Sequence, residues 1–260
     1  MQIQKKKSLG QHFLRAKNYL AAVVDAAGIA PNEVVLEIGP GEGTLTEELL
    51  ASRCKVLAIE KDRRFIPLLQ QKFAREIERG QLKLVEGDAL EFKPSDYKLE
   101  ARSYKLVGNI PYYITGALIK KFLSADNQPS TLVFLVQKEV AERIARSKKE
   151  SILSLAVKAY GTPRYVKTVP AGAFVPPPKV DSAILAVTGI SRERFRNPAH
   201  EQRFFDLLHK GFGSKRKLLM SNLKPLLGEH VAALFEEAHV PKNARAEDVP
   251  LESWLTLAQP

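Results

Sequence analysis

Between Val34 and Val136 one pattern recurs: a short apolar run, a break, then apolar residues at helical spacing. Val34–Ile38, Lys55–Ile59, Leu82–Val85, Lys105–Val107 and Leu132–Val136 read as five buried strands. Helical patterns stand between them, over Thr44–Ser52, through Phe65, Leu68, Leu69 and Phe73, and over Gly116–Ser124. Apolar strands alternating with helices can bury both faces only as a parallel sheet covered by helices on each side, an α/β fold. Two later runs, Arg164–Val169 and Ala183–Val187, flank the stiff segment Phe174-Val175-Pro176-Pro177-Pro178 and predict a hairpin at the sheet edge. After Gly189 the strand signal stops. His200–Leu208, Lys215–Leu227 and His230–Ala238 have helical spacing, which predicts a sheet domain over 1–188 and a small all-helical domain over 189–260. At 260 residues the chain is long enough for this division and needs no disulfide or metal to hold it.

The first strand runs into Gly39-Pro40-Gly41-Glu42-Gly43 and then a helix. Glycines there let the backbone approach a ligand at the carboxyl end of the sheet, where open α/β folds bind. A dinucleotide fingerprint requires glycine at position 44, which is Thr44, and Glu42 would repel a pyrophosphate from the helix start. A nucleoside without phosphates fits better, such as S-adenosylmethionine. Glu60 ends the second strand 21 residues after Gly39, placed to accept from both ribose hydroxyls. Asp88 follows the third strand and is placed to accept from the adenine amino group.

The fourth strand ends in Asn109-Ile110-Pro111-Tyr112-Tyr113. The exocyclic amine of adenine is a poor nucleophile because its lone pair is delocalised into the ring. Two acceptors aimed at its N–H groups, the Asn109 side-chain oxygen and the Ile110 carbonyl, favour a tetrahedral nitrogen with a directed lone pair. Pro111 removes a competing donor, and Tyr112 offers a face for an extruded base. Transfer from a sulfonium then needs positioning more than acid–base chemistry.

Forty Lys and Arg against 29 Asp and Glu give a net charge of +11, which points to a polyanionic partner. Residues 188–260 carry 11 basic and 9 acidic side chains, so most of the excess lies in the front part with the proposed chemistry. Lys5-Lys6-Lys7 and Lys215-Arg216-Lys217 are the clusters suited to phosphate. The single cysteine, Cys54, excludes an internal disulfide, and no Cys/His spacing suits zinc. No apolar run approaches the ~18 residues of a membrane span, and none follows the basic N-terminus as in a signal peptide. A cytoplasmic monomer is expected.

Four blocks carry a resemblance: Ser8-Leu9-Gly10-Gln11-His12-Phe13-Leu14, Glu37-Ile38-Gly39-Pro40-Gly41, Gly108-Asn109-Ile110-Pro111-Tyr112, and Phe174 through Ser182. Gln137-Lys138-Glu139-Val140, Lys215-Arg216-Lys217 and Arg245-Ala246-Glu247 extend it along the chain. The sequence resembles the bacterial small-subunit rRNA adenine dimethyltransferases, the family associated with kasugamycin sensitivity. The resemblance implies a Rossmann-like S-adenosylmethionine-dependent methyltransferase domain with a helical C-terminal domain that binds RNA. It implies transfer of four methyl groups to two adjacent adenosines in a hairpin near the 3′ end of small-subunit rRNA, during assembly of the immature subunit. By position, His12 and Leu14 resemble the N-terminal cofactor contacts, Gly39 the glycine-loop contact, Glu60 the ribose ligand and Asp88 the adenine ligand. Asn109 resembles the residue linking cofactor and target, and Phe174 the second aromatic wall against the target base. His12 stands where many relatives carry Asn, and Ile110 where Leu is common. The large-subunit rRNA methyltransferases of macrolide resistance share the first three blocks, but the Pro-rich block and tail motifs fit the small-subunit family better. A non-enzymatic binding protein on the same fold is disfavoured by the intact Gly39, Glu60, Asp88 and Asn109–Tyr112.

Overall fold

The computed structural model describes residues 12–259. Within them the chain forms two compact units. The first extends to Ala141 and resumes over Pro163–Ile190; the second joins Glu142–Thr162 to the tail from Ser191.

In the first unit, β1 (Phe13–Leu14) and α1 (Lys17–Ala27) precede five strands: β2 (Val34–Ile38), β3 (Lys55–Glu60), β4 (Leu82–Glu86), β5 (Tyr104–Asn109) and β6 (Thr131–Gln137). Helices α2 (Thr44–Ala51), α3 (Phe65–Lys72), α4 (Ala74–Glu78) and α5 (Thr115–Leu123) occupy the connections. Helix α6 (Lys138–Ala145) starts directly after β6. The alternation read from the sequence is therefore real, and the neighbouring pairs among β2–β6 are parallel. The sheet closes with β7 (Thr162–Val169) and β9 (Ser182–Thr188), in the order β4-β3-β2-β5-β6-β9-β7. Strand β9 runs antiparallel to β6, with Leu132 opposite Val187 and Val136 opposite Ala183. A separate two-stranded ribbon pairs β1 with β8 (Phe174–Val175), Leu14 opposite Phe174.

Sheet order sets the place of the site. Chain order runs outward in one direction from β2 through β3 to β4, and in the other from β5 to β6. The crevice at the carboxyl ends of β2 and β5 is thus the switch point where such sheets take ligands. Ile38 lies opposite Gly108 there, and a Cβ on Gly108 would stand 2.9 Å from the Ile38 carbonyl oxygen. Glycine is required for the two strand ends to approach so closely.

In the second unit, α7 (Ile152–Tyr160) packs with α8 (Pro198–Gly211) and α11 (Leu251–Leu257), while α9 (Leu219–Leu227) and α10 (Val231–Glu237) complete the bundle. Asn197 caps α8 by accepting from the His200 N–H at 2.9 Å, with Pro198 in the first turn. Trp254 is fully buried, and a Cβ at Gly211 would come within 2.5 Å of its ring. The sequence pattern assigned 142–162 to the front domain; the structure assigns it to the tail. The reason is Tyr160, whose ring lies 5.4 Å from Phe195 and 5.9 Å from Phe205 and whose hydroxyl bonds Glu201.

Candidate active site

A cavity of about 590 Å³ opens at the switch point, within the size range of small-molecule sites. Its walls include His12, Leu14, Gly39, Glu60, Asp88, Asn109, Ile110, Pro111 and Tyr112, so nine of the predicted residues converge on one space. They come from β1 and the residue before it, the loop after β2, the end of β3, the loop after β4, and the end of β5 with the turn that follows it.

The floor is the glycine loop. Gly39, Gly41 and Gly43 have φ of 69°, 56° and 76°, the left-handed region that favours glycine. A Cβ on Gly41 would lie 2.5 Å from the Phe13 ring, so this loop and β1 can pack together only if position 41 lacks a side chain. Thr44 Oγ1 donates to the Leu14 carbonyl at 3.0 Å, and Arg15 pairs with Glu42 at 2.8 Å. Together these bonds hold β1 across the entrance of α2.

Glu60 is 6% exposed. One carboxylate oxygen accepts from the Gly41 N–H at 2.9 Å and the other from the Asp62 N–H at 2.8 Å. Each oxygen keeps a further lone pair, which is what two vicinal hydroxyls require. Burial raises the Glu60 carboxyl above its ordinary value, while these backbone donors pull it back. Asp88 accepts from Lys61 Nζ at 2.6 Å and from the Leu90 N–H at 2.9 Å. The hydrogen bond from Lys61 is the main reason its carboxyl lies below the usual range, so it stays an acceptor.

Asn109 sits at the last position of β5, and its Nδ2 donates to the His12 carbonyl at 2.8 Å. Only an amide nitrogen can serve a carbonyl, so the bond fixes which end of the side chain is which and leaves Oδ1 as the acceptor. The Ile110 side chain is buried, which anchors the carbonyl between Asn109 and Pro111. Tyr112 opens a 3₁₀ turn, Tyr112–Ile114; its hydroxyl shares a 2.5 Å hydrogen bond with Ser182 Oγ. The His12 ring lies 6.2 Å from that of Tyr112 at 20°, and its Nδ1 is 2.8 Å from the Pro176 carbonyl.

Phe174 is 2% exposed and joins the apolar core with Leu14, Leu20 and Val169; it is not among the residues lining the cavity. Pairing with β1 buries this ring as a core side chain, not a wall. Lys215, Arg216 and Lys217 are exposed but precede the helix they were expected to open: they form a turn, and α9 begins at Leu219. Lys5, Lys6 and Lys7 lie outside the described residues.

Sequence reasoning missed Glu37, which lines the cavity, is 1% exposed and accepts from Thr46 Oγ1 at 2.7 Å. The signal was present as a lone acid inside the apolar run Val34–Ile38. Tyr113 and Arg63 also line the cavity and were passed over. Among the described residues no group of acids, histidines or cysteines could hold a metal ion, and no helix is long and apolar enough to cross a membrane.

Comparison with known proteins decides the family. The profile of the ribosomal RNA adenine dimethylases matches residues 2–259. The chain belongs to this family. Among its relatives, "Ribosomal RNA small subunit methyltransferase A" of Dehalococcoides mccartyi is 39% identical over 98% of this chain and 88% of its own length. The protein of the same name from Deinococcus radiodurans is 37% identical over 97% and 84%. Two solved structures superpose with a TM-score of 0.76: the 23S rRNA methyltransferase ErmE, 29% identical over 95% of this chain and 98% of its own, and a dimethyladenosine transferase from Plasmodium falciparum, 27% identical over 95% and 96%. The protein is an rRNA adenine dimethyltransferase, and its family and fold imply S-adenosylmethionine as methyl donor.

Proposed function

We propose that this dimethylase converts two adjacent adenosines, in a hairpin loop near the 3′ end of small-subunit rRNA, to N6,N6-dimethyladenosine during late subunit assembly. The observation that carries the reading is the oriented amide of Asn109, whose Oδ1 is left as acceptor at the strand end beside Ile110-Pro111-Tyr112. In this scheme Glu60 takes the ribose hydroxyls of S-adenosylmethionine, Asp88 its adenine amine, and Gly39, His12 and Leu14 complete that half of the cavity. The donor supplies an electrophilic methyl on a sulfonium. Asn109 Oδ1 and the Ile110 carbonyl accept from the target amine, directing its lone pair, and Tyr112 supports the extruded base from a position fixed by Ser182. The choice of the small subunit rests on relatives at 34–39% identity that bear that name.

The test is to incubate the protein with labelled donor and immature small subunits, then map the modified nucleosides. Label in two adjacent dimethyladenosines of small-subunit rRNA is the expected result. Label confined to large-subunit rRNA would move the substrate to the class of the ErmE neighbour, and no transfer to either would sink the reading.

A further inference from the structure

Tyr113 is 69% exposed, more than any other large apolar side chain among the described residues. A single exposed aromatic is ordinary on a protein surface; what singles out Tyr113 is its place on the lining of the cavity. Tyr113 follows Tyr112 on a 3₁₀ turn, where successive side chains diverge by about 120°. Tyr112 is thereby held inward by Ser182, while Tyr113 projects outward on the same cavity. Its hydroxyl forms no hydrogen bond among the described residues. Two cations share this lining: Lys61, which is paired with Asp88, and Arg63, whose exposed guanidinium has no ion pair among the described residues.

Extruding a base strips its neighbour of one stacking partner, and the enzyme that supplies a replacement face lowers that cost. We infer that Tyr113 stacks the nucleotide adjacent to the target adenosine, and that Arg63 takes the phosphate beside it. The rim then reads two consecutive nucleotides, one on each of two consecutive tyrosines. This rests on the proposal that the two targets are adjacent, and it makes Tyr113 a positioning residue for the RNA with no part in donor binding.

The experiment uses the full chain with immature small subunits and two variants, Tyr113→Ala and Tyr113→Phe. Loss of one base stack is expected to raise KM for subunits about five- to a hundredfold in Tyr113→Ala, with donor affinity and thermal stability unchanged. Tyr113→Phe, which keeps the face, should stay near wild type. Ultraviolet cross-linking of the wild-type complex should join the peptide containing Tyr113 to the nucleotide next to the methylated one. An unchanged KM in Tyr113→Ala, or equal damage from Tyr113→Phe, would overturn the inference. Wild-type product mapping separates the two failures: a single isolated dimethyladenosine refutes adjacency, whereas adjacent products with an unaffected Tyr113→Ala refute only the role of Tyr113.

Discussion

Glu37 and Glu60 are both buried acids in the cavity wall, yet only Glu60 has backbone N–H groups on both oxygens. Burial therefore dominates at Glu37, pushing its carboxyl up to about 8, with the Glu60 charge adding to the rise and the Thr46 hydroxyl opposing it. In the unfolded chain the group titrates near the ordinary value of 4.5. Between those values the folded state holds a proton that the unfolded state has lost, so stability falls as pH rises from about 4.5 to about 8. Glu37→Gln removes the titration. Its stability relative to wild type should improve by a few kcal/mol between pH 5 and pH 8.5, read by denaturant unfolding at both values. An identical difference at the two pH values would show that Glu37 does not carry the proton. At Glu60 the expected loss is of binding: Glu60→Ala should weaken donor affinity by about 1–3 kcal/mol, the range for hydrogen bonds to a charged group. Calorimetric titration with undiminished affinity would remove Glu60 from the site.

Tyr112 and Phe174, an aromatic pair in the sequence reading, sit on elements of opposite character. Tyr112 is on a turn lining the cavity; Phe174 is on a two-residue strand inside the core. Tyr112→Ala should cut turnover while sparing donor affinity and fold. Phe174→Ala should instead lower stability by roughly 3–5 kcal/mol, as for a buried phenylalanine. A Phe174→Ala protein of full stability and low turnover would return that ring to the target base. The contrast shows what was legible. Strand ends could be read to within two residues, because the apolar runs stop at Ile38, Ile59 and Val107 and the strands at Ile38, Glu60 and Asn109, and that placed Gly39, Glu60 and Asn109 in one crevice. The direction of Phe174 could not, because three prolines fix stiffness while the pairing with β1 that buries the ring is a tertiary contact. The start of α9 was misjudged for a similar reason. Lys215-Arg216-Lys217-Leu218 has good helix propensity, but the Leu219 N–H bonds the Ala244 carbonyl and Asn222 Nδ2 holds the Gly211 and Ser214 carbonyls, which shapes a turn. The union of 142–162 with the tail left no compositional mark, since it depends on where the ring of Tyr160 finds its neighbours.

On the scale of the whole molecule, a surplus of eleven positive charges must serve a polyanion or remain a cost in self-repulsion. With 142–162 counted in the helical unit, that unit carries 16 basic and 11 acidic side chains against 24 and 18 in the cavity-bearing unit, so the surplus divides as +5 and +6 and both units can face rRNA. The tail has little net charge, and Lys215, Arg216 and Lys217 are its densest cluster, all three exposed and next to the N-terminus of α9. Cations there oppose the dipole of α9, although Lys215 also follows the C-terminal end of the 3₁₀ turn Phe212–Ser214 that extends α8, where a cation is favoured. A turn also frees the three side chains from the helical spacing that would fan them apart, which suits contact with successive phosphates. Replacing all three by Ala should then weaken binding to immature small subunits and reduce the slope of log affinity against log salt by about two to three, one counterion for each lost contact. Donor affinity should be unaffected, because backbone contacts position the RNA and do not touch the cofactor. The decisive quantity is the slope, since a folding defect would reduce the fraction of active protein without altering it. A triple variant with the wild-type salt slope would show that the tail is not a docking surface and that the RNA is gripped by the cavity-bearing unit alone.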